Sequence, residues 1–155
     1  MTKTEKMSAQ ELYEAGRNWP DQRYTPGIAE ALVRTGDAWG LYYAGWSWPD
    51  ERYISTIADA LIQTRNAEYL VKAAIGWDQH RYTPEIAEAL VRTGDAQWLY
   101  YAGRWWSNDR YTPAIADAIL QAGSAQYIER AIREWPQQRS EAIIIRLSQL
   151  PSFVI

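Results

Sequence analysis

The sequence predicts an all-α protein built as an α-solenoid of antiparallel helix pairs, and three observations carry that prediction. Trp19, Trp48, Trp77, Trp106 and Trp135 recur every 29 residues without a gap, and each is followed four residues later by Arg23, Arg52, Arg81, Arg110 or Arg139. The same ruler aligns Ile28, Ile57, Ile86, Ile115 and Ile144, and then Leu41, Leu70, Leu99 and Ile128. Between these marks Gly36, Gly94 and Gly123 each stand directly before a good N-cap residue, so the chain stops one helix and starts another inside every period. One such pair cannot bury its apolar faces alone, whereas stacked copies build a continuous core from contacts between neighbours.

The units follow in order along a single expected domain, residues 1–155. Residues 1–7 are polar and carry two lysines, and they read as a disordered N-terminus. Ser8 then opens a half repeat over 8–18, because Leu12, Tyr13, Ala15 and Gly16 lie one period before Leu41, Tyr42, Ala44 and Gly45. Full repeats occupy 19–47, 48–76, 77–105 and 106–134, and a capping half repeat occupies 135–155. The first helix of a unit opens at Tyr-Thr-Pro. Thr25, Thr83 and Thr112 are placed to cap, and Pro26, Pro84 and Pro113 suit the first helical position, whose N–H has no intrahelical partner. The second helix starts at Asp37, Asn66, Asp95 or Ser124 and runs about ten residues to the Trp, where Pro20, Pro49 or Pro136 blocks continuation.

Copies also alternate with a longer period of 58: Arg23 to Ala38 matches Arg81 to Ala96 except that Glu85 replaces Gly27. The second copy departs most, with Ile54-Ser55 for Thr-Pro and Arg65 for the glycine, so a shifted helix start is expected there. Thr83-Pro84-Glu85-Ile86-Ala87 resembles the opening of an ankyrin repeat, and the Trp and Tyr of Trp39-Gly40-Leu41-Tyr42 faintly resemble the tetratricopeptide signature. The 29-residue period fits neither, and HEAT repeats are longer still. The resemblance over 8–149 is to helical tandem-repeat proteins in architecture only, and it transfers no functional residues.

Composition narrows the function. With 47% apolar and 23% charged residues the chain can bury a core, and no stretch approaches 18 apolar residues, so the reading is a cytoplasmic protein without a membrane span. No leader-like apolar segment follows Met1. Absent cysteine and a single histidine remove thiolate and multi-histidine metal sites and a Cys nucleophile. His80 sits beside Asp78 in a turn where the other copies carry Gln22, Glu51, Asp109 and Gln138, which reads as an exposed turn residue and not a general base. No phosphate loop, nucleophile elbow or zinc motif is present, so a non-enzyme without cofactor or metal is expected.

Nine Trp and eleven Tyr stand against one Phe, and the repeat divides this excess. The Trp-x-x-x-Arg elements recur in every copy and read as framework, with Trp in the seam between units and Arg on helix-end carbonyls or stacked on a ring. The ladder Glu30, Asp59, Glu88 and Asp117 reads as a solvated helix face, with Arg34 and Arg92 at i+4 to its glutamates. Binding is expected at outward positions that differ between copies. On the second helices these are Trp39, Tyr43 and Trp46, then Lys72, then Trp98, Tyr101, Arg104 and Trp105, then Arg130 and Arg133, grading from aromatic to basic. Trp, Tyr and Arg are the residue types enriched at binding hot spots, so the expected function is a protein-binding module, an adaptor or inhibitor acting on a protein or peptide. The alternative is a nucleic-acid-binding solenoid that stacks bases on these rings and meets phosphates with Arg104, Arg130 and Arg133, which the net charge of -3 disfavours. A consensus or engineered scaffold without natural ligand is the third reading. Ile143, Ile144, Ile145 and Leu147, extended by Phe153-Val154-Ile155, add an expected homodimer contact through the apolar last helix.

Overall fold

A computed structural model describes residues 3–150. Among the described residues there are ten α-helices and no strand: α1 (Ala9–Asn18), α2 (Gly27–Thr35), α3 (Ala38–Ser47), α4 (Thr56–Thr64), α5 (Ala67–Gly76), α6 (Pro84–Thr93), α7 (Ala96–Trp105), α8 (Pro113–Ala122), α9 (Ala125–Glu134) and α10 (Gln137–Ser148). Every helix of the 29-residue scheme is there. Thr4–Lys6 form a 3₁₀ turn that packs on α2, and residues 1 and 2 of the segment expected to be disordered lie outside the described residues. Phe153, Val154 and Ile155 lie outside the described residues.

The chain divides into two compact units, Met1–Ile86 and Ala87–Ile155, with the boundary inside α6. In the first unit α1 packs on α2 and α3, α3 on α4 and α5, and α2 on α4. The second unit repeats the scheme, with α7 on α8 and α9 and α10 on α8 and α9. Within each unit a helix thus meets the next one or two along the chain, which is the solenoid-like packing that a repeating apolar pattern demands.

Helix stops obey the local chemistry of the sequence. Gly36, Gly94 and Gly123 adopt the left-handed conformation, with φ of 65°, 66° and 74°. Arg65 takes the same conformation at φ 56° without being glycine, so the irregular second copy keeps its stop at the cost of a Cβ in a region L residues avoid. Starts of the second helices hold as well: the Asp37, Asn66 and Asp95 side chains accept from the amides of Gly40, Tyr69 and Trp98, and Ser8 with Glu11 forms a reciprocal capping box, whereas Ser124 stands at the N-cap of α9 without a side-chain bond. Starts of the first helices differ from expectation. Thr112 makes no side-chain cap bond, and α2 begins one residue after Pro26, in the same register as α4 after Ser55. Proline's fixed φ, or the αR backbone that Ser55 adopts, sets these starts instead of a threonine hydroxyl.

The core repeats with the ruler. Ile28, Ala29, Ala31 and Leu32 of α2 and Leu41 and Ala44 of α3 are buried, as are most of their counterparts along the chain; Ile128 is half-buried, and at the last copy Ile143 is buried while Ile144 is exposed. Tyr42, next to Leu41, is half-buried. The tryptophans that end the odd-numbered helices all act as extended C-cap residues, and Trp48, Trp77 and Trp135 show what they do. The indole N–H of Trp48 donates to the Tyr13 carbonyl at 3.0 Å, that of Trp77 to Tyr42 at 2.9 Å, and that of Trp135 to Tyr100 at 2.8 Å. Each ring lies on a glycine of the helix two earlier: a Cβ added to Gly16, Gly45 or Gly103 would meet ring atoms at 2.1 Å, 2.1 Å and 2.0 Å. Each of these glycines is therefore a seat for an indole.

The arginine four residues on completes the joint. Arg52 Nη1 donates to Ala15 and Gly16 carbonyls and Nη2 to Asp21; Arg81 does the same to Ala44, Gly45 and Asp50 and adds Trp48; Arg139 takes Gly103, Trp106 and Asn108. These are the carbonyls that a helix end leaves without an intrahelical donor. Each guanidinium also lies over a tyrosine of the preceding copy, Arg52 on Tyr24 at 4.3 Å, Arg81 on Tyr53 at 4.5 Å and Arg139 on Tyr111 at 4.1 Å. Burial lowers the pKa of Arg139, which Tyr111 partly offsets. A buried charge with this many acceptors holds the structure together and is closed to a ligand.

Candidate protein-binding surface

The residues that remain once the framework is subtracted gather on the odd-numbered helices. In the first unit the heptad-like spacing of α3 puts Trp39, Tyr43 and Trp46 on one stripe, and the neighbouring helices add Tyr13 and Tyr69. Tyr13 meets Trp39 edge-on at 5.3 Å and Tyr43 at 6.0 Å; Trp39 meets Tyr43 at 5.1 Å; Tyr43 meets Tyr42 at 4.8 Å and Trp46 at 6.1 Å; and Tyr42 meets Tyr69 at 5.4 Å. Six rings from α1, α3 and α5 thus touch in an unbroken series of tilted and T-shaped pairs, the arrangement that aromatic quadrupoles favour. Trp39 and Tyr43 are half-buried, while Trp46 is 56% exposed and Ile75 of α5 is 53% exposed.

Polar groups at the edge of this surface are committed. Tyr13 accepts from Arg17 at 3.3 Å and shares a hydrogen bond with Ser47 at 3.2 Å. Lys72 donates to Glu68 at 2.7 Å and lies 5.2 Å from the Tyr69 ring, and that hydrogen bond raises the lysine's pKa. Burial raises the pKa of both Tyr42 and Tyr69, so the rings present neutral hydroxyls well beyond neutral pH.

In the second unit Tyr101 lies between Trp98 and Tyr100, 5.2 Å from each, and Tyr100 meets Tyr127 at 5.9 Å. Trp105 is 57% exposed and carries the Arg104 guanidinium 4.8 Å from its ring. The basic end of the expected gradient is mostly neutralised. Glu134 accepts from Arg130 at 3.1 Å, pairs with Arg104 at 3.3 Å and takes the Tyr100 hydroxyl proton bond, and Tyr100 in turn accepts from Arg104 at 2.8 Å. The Tyr100 hydrogen bond, then Arg130 and Arg104, hold the Glu134 carboxyl below its usual value. Tyr100 itself is fully buried, so two arginines and one carboxylate form a closed network over it, and Arg133 stays exposed outside that network.

Other candidates resolve into ordinary structure. His80 is exposed, and the Asp78 side chain accepts from its backbone N–H at 2.9 Å and turns the loop. The ladder of Glu30, Asp59, Glu88 and Asp117 is exposed, and its last member pairs with Arg146 of α10. On α10 itself Ile143 is fully buried, whereas Ile144 and Ile145 are 49% and 56% exposed. The sequence-based list of binding residues omitted Tyr13 and Tyr42, because a repeating position reads as core, and Tyr69, which stands beside the outward stripe; the signal that finds them is the aromatic type at adjacent positions of successive copies.

No family model, no curated protein and no solved structure matches the chain. Its class comes from the fold alone: an all-α, solenoid-like helical repeat, with no helix among the described residues long and apolar enough to cross a membrane.

Proposed function

We propose that the chain is a non-catalytic protein-binding module, and that the rings around Trp46 on α1, α3 and α5 receive a protein or peptide partner. The observation that carries this reading is the contiguous aromatic series ending in a Trp that is 56% exposed, which the Trp-into-glycine joints do not need. Tyr and Trp supply large, stiff, amphipathic contact area with few rotatable bonds, and desolvating them against a partner is where hot-spot energy concentrates. The pairing of Arg104 and Arg130 with Glu134 supports a protein partner over a nucleic acid, because phosphate binding would have to compete with a resident carboxylate.

The test compares wild type with Trp46→Ser in affinity capture, followed by calorimetry with the purified partner. Loss of at least about tenfold in affinity with an unchanged melting curve is expected. Equal capture by both proteins would remove the surface from consideration. The exposed Ile144 and Ile145 favour a second contact, self-association through α10, which light scattering of an Ile144→Ser/Ile145→Ser variant checks; an identical mass for both proteins counts against it.

A further inference from the structure

The 58-residue period lays one group of four side chains in the second unit over four positions of the first. Tyr100, Arg104, Arg130 and Glu134 stand one long period after Tyr42, Trp46, Lys72 and Gly76. In the second unit the Glu134 carboxylate accepts from the Tyr100 hydroxyl and pairs with Arg104 at 3.3 Å and Arg130 at 3.1 Å. One 29-residue step before Tyr42 and Gly76 lie Tyr13 and Ser47, whose hydroxyls share a hydrogen bond at 3.2 Å. In both cases the residue 34 places after the tyrosine gives its hydroxyl a partner. At Tyr42 that residue is Gly76, which has no side chain to offer.

The place that the glycine leaves open is bordered by donors. A Cβ at Gly76 would lie 3.5 Å from the Tyr42 hydroxyl and 3.4 Å and 3.6 Å from Cδ1 and Nε1 of Trp46, which are ordinary contact distances, so an atom fits there without strain. Neither the Tyr42 hydroxyl nor the Trp46 indole N–H has an acceptor among the described residues. Lys72 stands four residues before Gly76 on α5, which puts it on the same helix face. Its ammonium is held by Glu68 at 2.7 Å, an i,i+4 pair with 39% of each side chain exposed, the weak kind that a competing carboxylate opens. Gly76 is itself exposed, so the place is reached from solvent.

We infer that the place over Gly76 receives the carboxylate of an aspartate or glutamate side chain from a protein partner, bound as Glu134 is bound in the second unit. The inference rests on the aromatic surface around Trp46 being where the partner lands, and it names the anchoring group. Two neutral donors and one ammonium border the place, so the complement brings negative charge and acceptor oxygens. A glutamine side chain would satisfy the two neutral donors but offers no charge, and Lys72 then stays with Glu68.

The probes are the blocked tripeptides acetyl-Gly-Glu-Gly-amide and acetyl-Gly-Gln-Gly-amide, with acetyl-Gly-Gly-Gly, whose one carboxylate is its C-terminus. Each is titrated at constant ionic strength into the full ¹⁵N-labelled chain, and the indole N–H signal of Trp46, assigned with Trp46→Phe, reports binding. A saturable downfield shift is expected with the glutamate peptide. Binding should be at least about tenfold weaker with the glutamine peptide and with the Lys72→Met and Tyr42→Phe proteins. Gly76→Glu supplies the carboxylate from within the chain and should abolish the shift; Lys72→Met and Tyr42→Phe carry the test without adding a side chain, should that variant fail to fold. An unmoved signal, equal binding of the glutamate and glutamine peptides, tighter binding of the C-terminal carboxylate, or an undiminished shift in folded Gly76→Glu would each overturn the inference. Affinity capture separates this from the broader reading: loss with Trp46→Ser but full retention with Gly76→Glu would leave the aromatic surface standing and remove the carboxylate anchor.

Discussion

The Trp48 indole N–H and the Tyr13 carbonyl meet at 3.0 Å across 35 residues of chain, while the same ring covers Gly16. A donor, a ring face and, through Arg52, a guanidinium fork all engage one helix end. A joint of this kind fixes register, because a slip of one residue would take the N–H, the ring and the fork off their partners together.

At Gly16, Gly45 and Gly103 the indole leaves no room for a Cβ, whereas Ala74 holds the same place on the ruler before the equally buried Trp106. Alanine normally stabilises a helix over glycine by up to about 1 kcal/mol. Gly45→Ala is expected to reverse that sign and lose about 3 kcal/mol, since its Cβ would sit 2.1 Å from the Trp77 ring. Gly27→Ala, whose Cβ meets nothing nearer than Thr25 at 3.6 Å, should gain up to about 1 kcal/mol. Urea denaturation of the two variants decides; equal effects would mean that the ring moves aside.

Arg81 is expected to resist conservative replacement. It is 6% exposed and serves three backbone carbonyls and Asp50 at once. Arg81→Lys keeps the charge but offers a point donor in place of a planar fork, so a loss of about 2–4 kcal/mol is predicted in chemical denaturation. Arg23→Lys, at the exposed first copy, should stay within about 0.5 kcal/mol. A tolerant Arg81 would show that the indole alone carries the joint.

Alkaline stability has a sign that the buried tyrosines set. Burial pushes the Tyr53 pKa up to about 12 from an ordinary 10.0, and its hydroxyl has no hydrogen-bond partner. The neutral ring is favoured in the folded state, so its contribution is whole below pH 10 and disappears as pH rises through 12. Tyr53→Phe should unfold at higher pH than wild type and gain up to about 1 kcal/mol at neutrality, because it deletes an unsatisfied donor. An unchanged alkaline midpoint would assign the transition to other groups.

Glu134 acts at the other end of the scale. Its pKa is lowered by Tyr100, Arg130 and Arg104, so its stabilisation is present above the ordinary value of 4.5 and lost as pH falls below it. Glu134→Gln should flatten the acid limb of the melting temperature against pH. The same change frees Arg104 and Arg130 and should lengthen retention on heparin at low salt. Unaltered retention would mean that the arginines remain held by Tyr100.

Much of this was legible in the residues. Recurrence of Trp and Arg in every copy identifies a load borne by every copy, and Arg52, Arg81 and Arg139 bear it through carbonyls that any helix end exposes. The threonine caps misled because Pro26 and Pro113 already fix φ, which leaves the hydroxyl without a task. The basic gradient misled for a different reason. Counting Arg104 and Arg130 along a stripe ignores Glu134, whose side chain reaches Arg104 only after α7 and α9 pack together. Tyr100 was missed because burial at 0% hides it from any argument about exposed faces, although it organises both arginines.

Arg65 holds its helix stop at φ 56°, in the left-handed region that Gly36, Gly94 and Gly123 occupy in the other copies. Glycine at that place would relieve roughly 1 kcal/mol of backbone strain, so the irregular second copy is where the chain can be made more stable without touching any Trp–Arg joint.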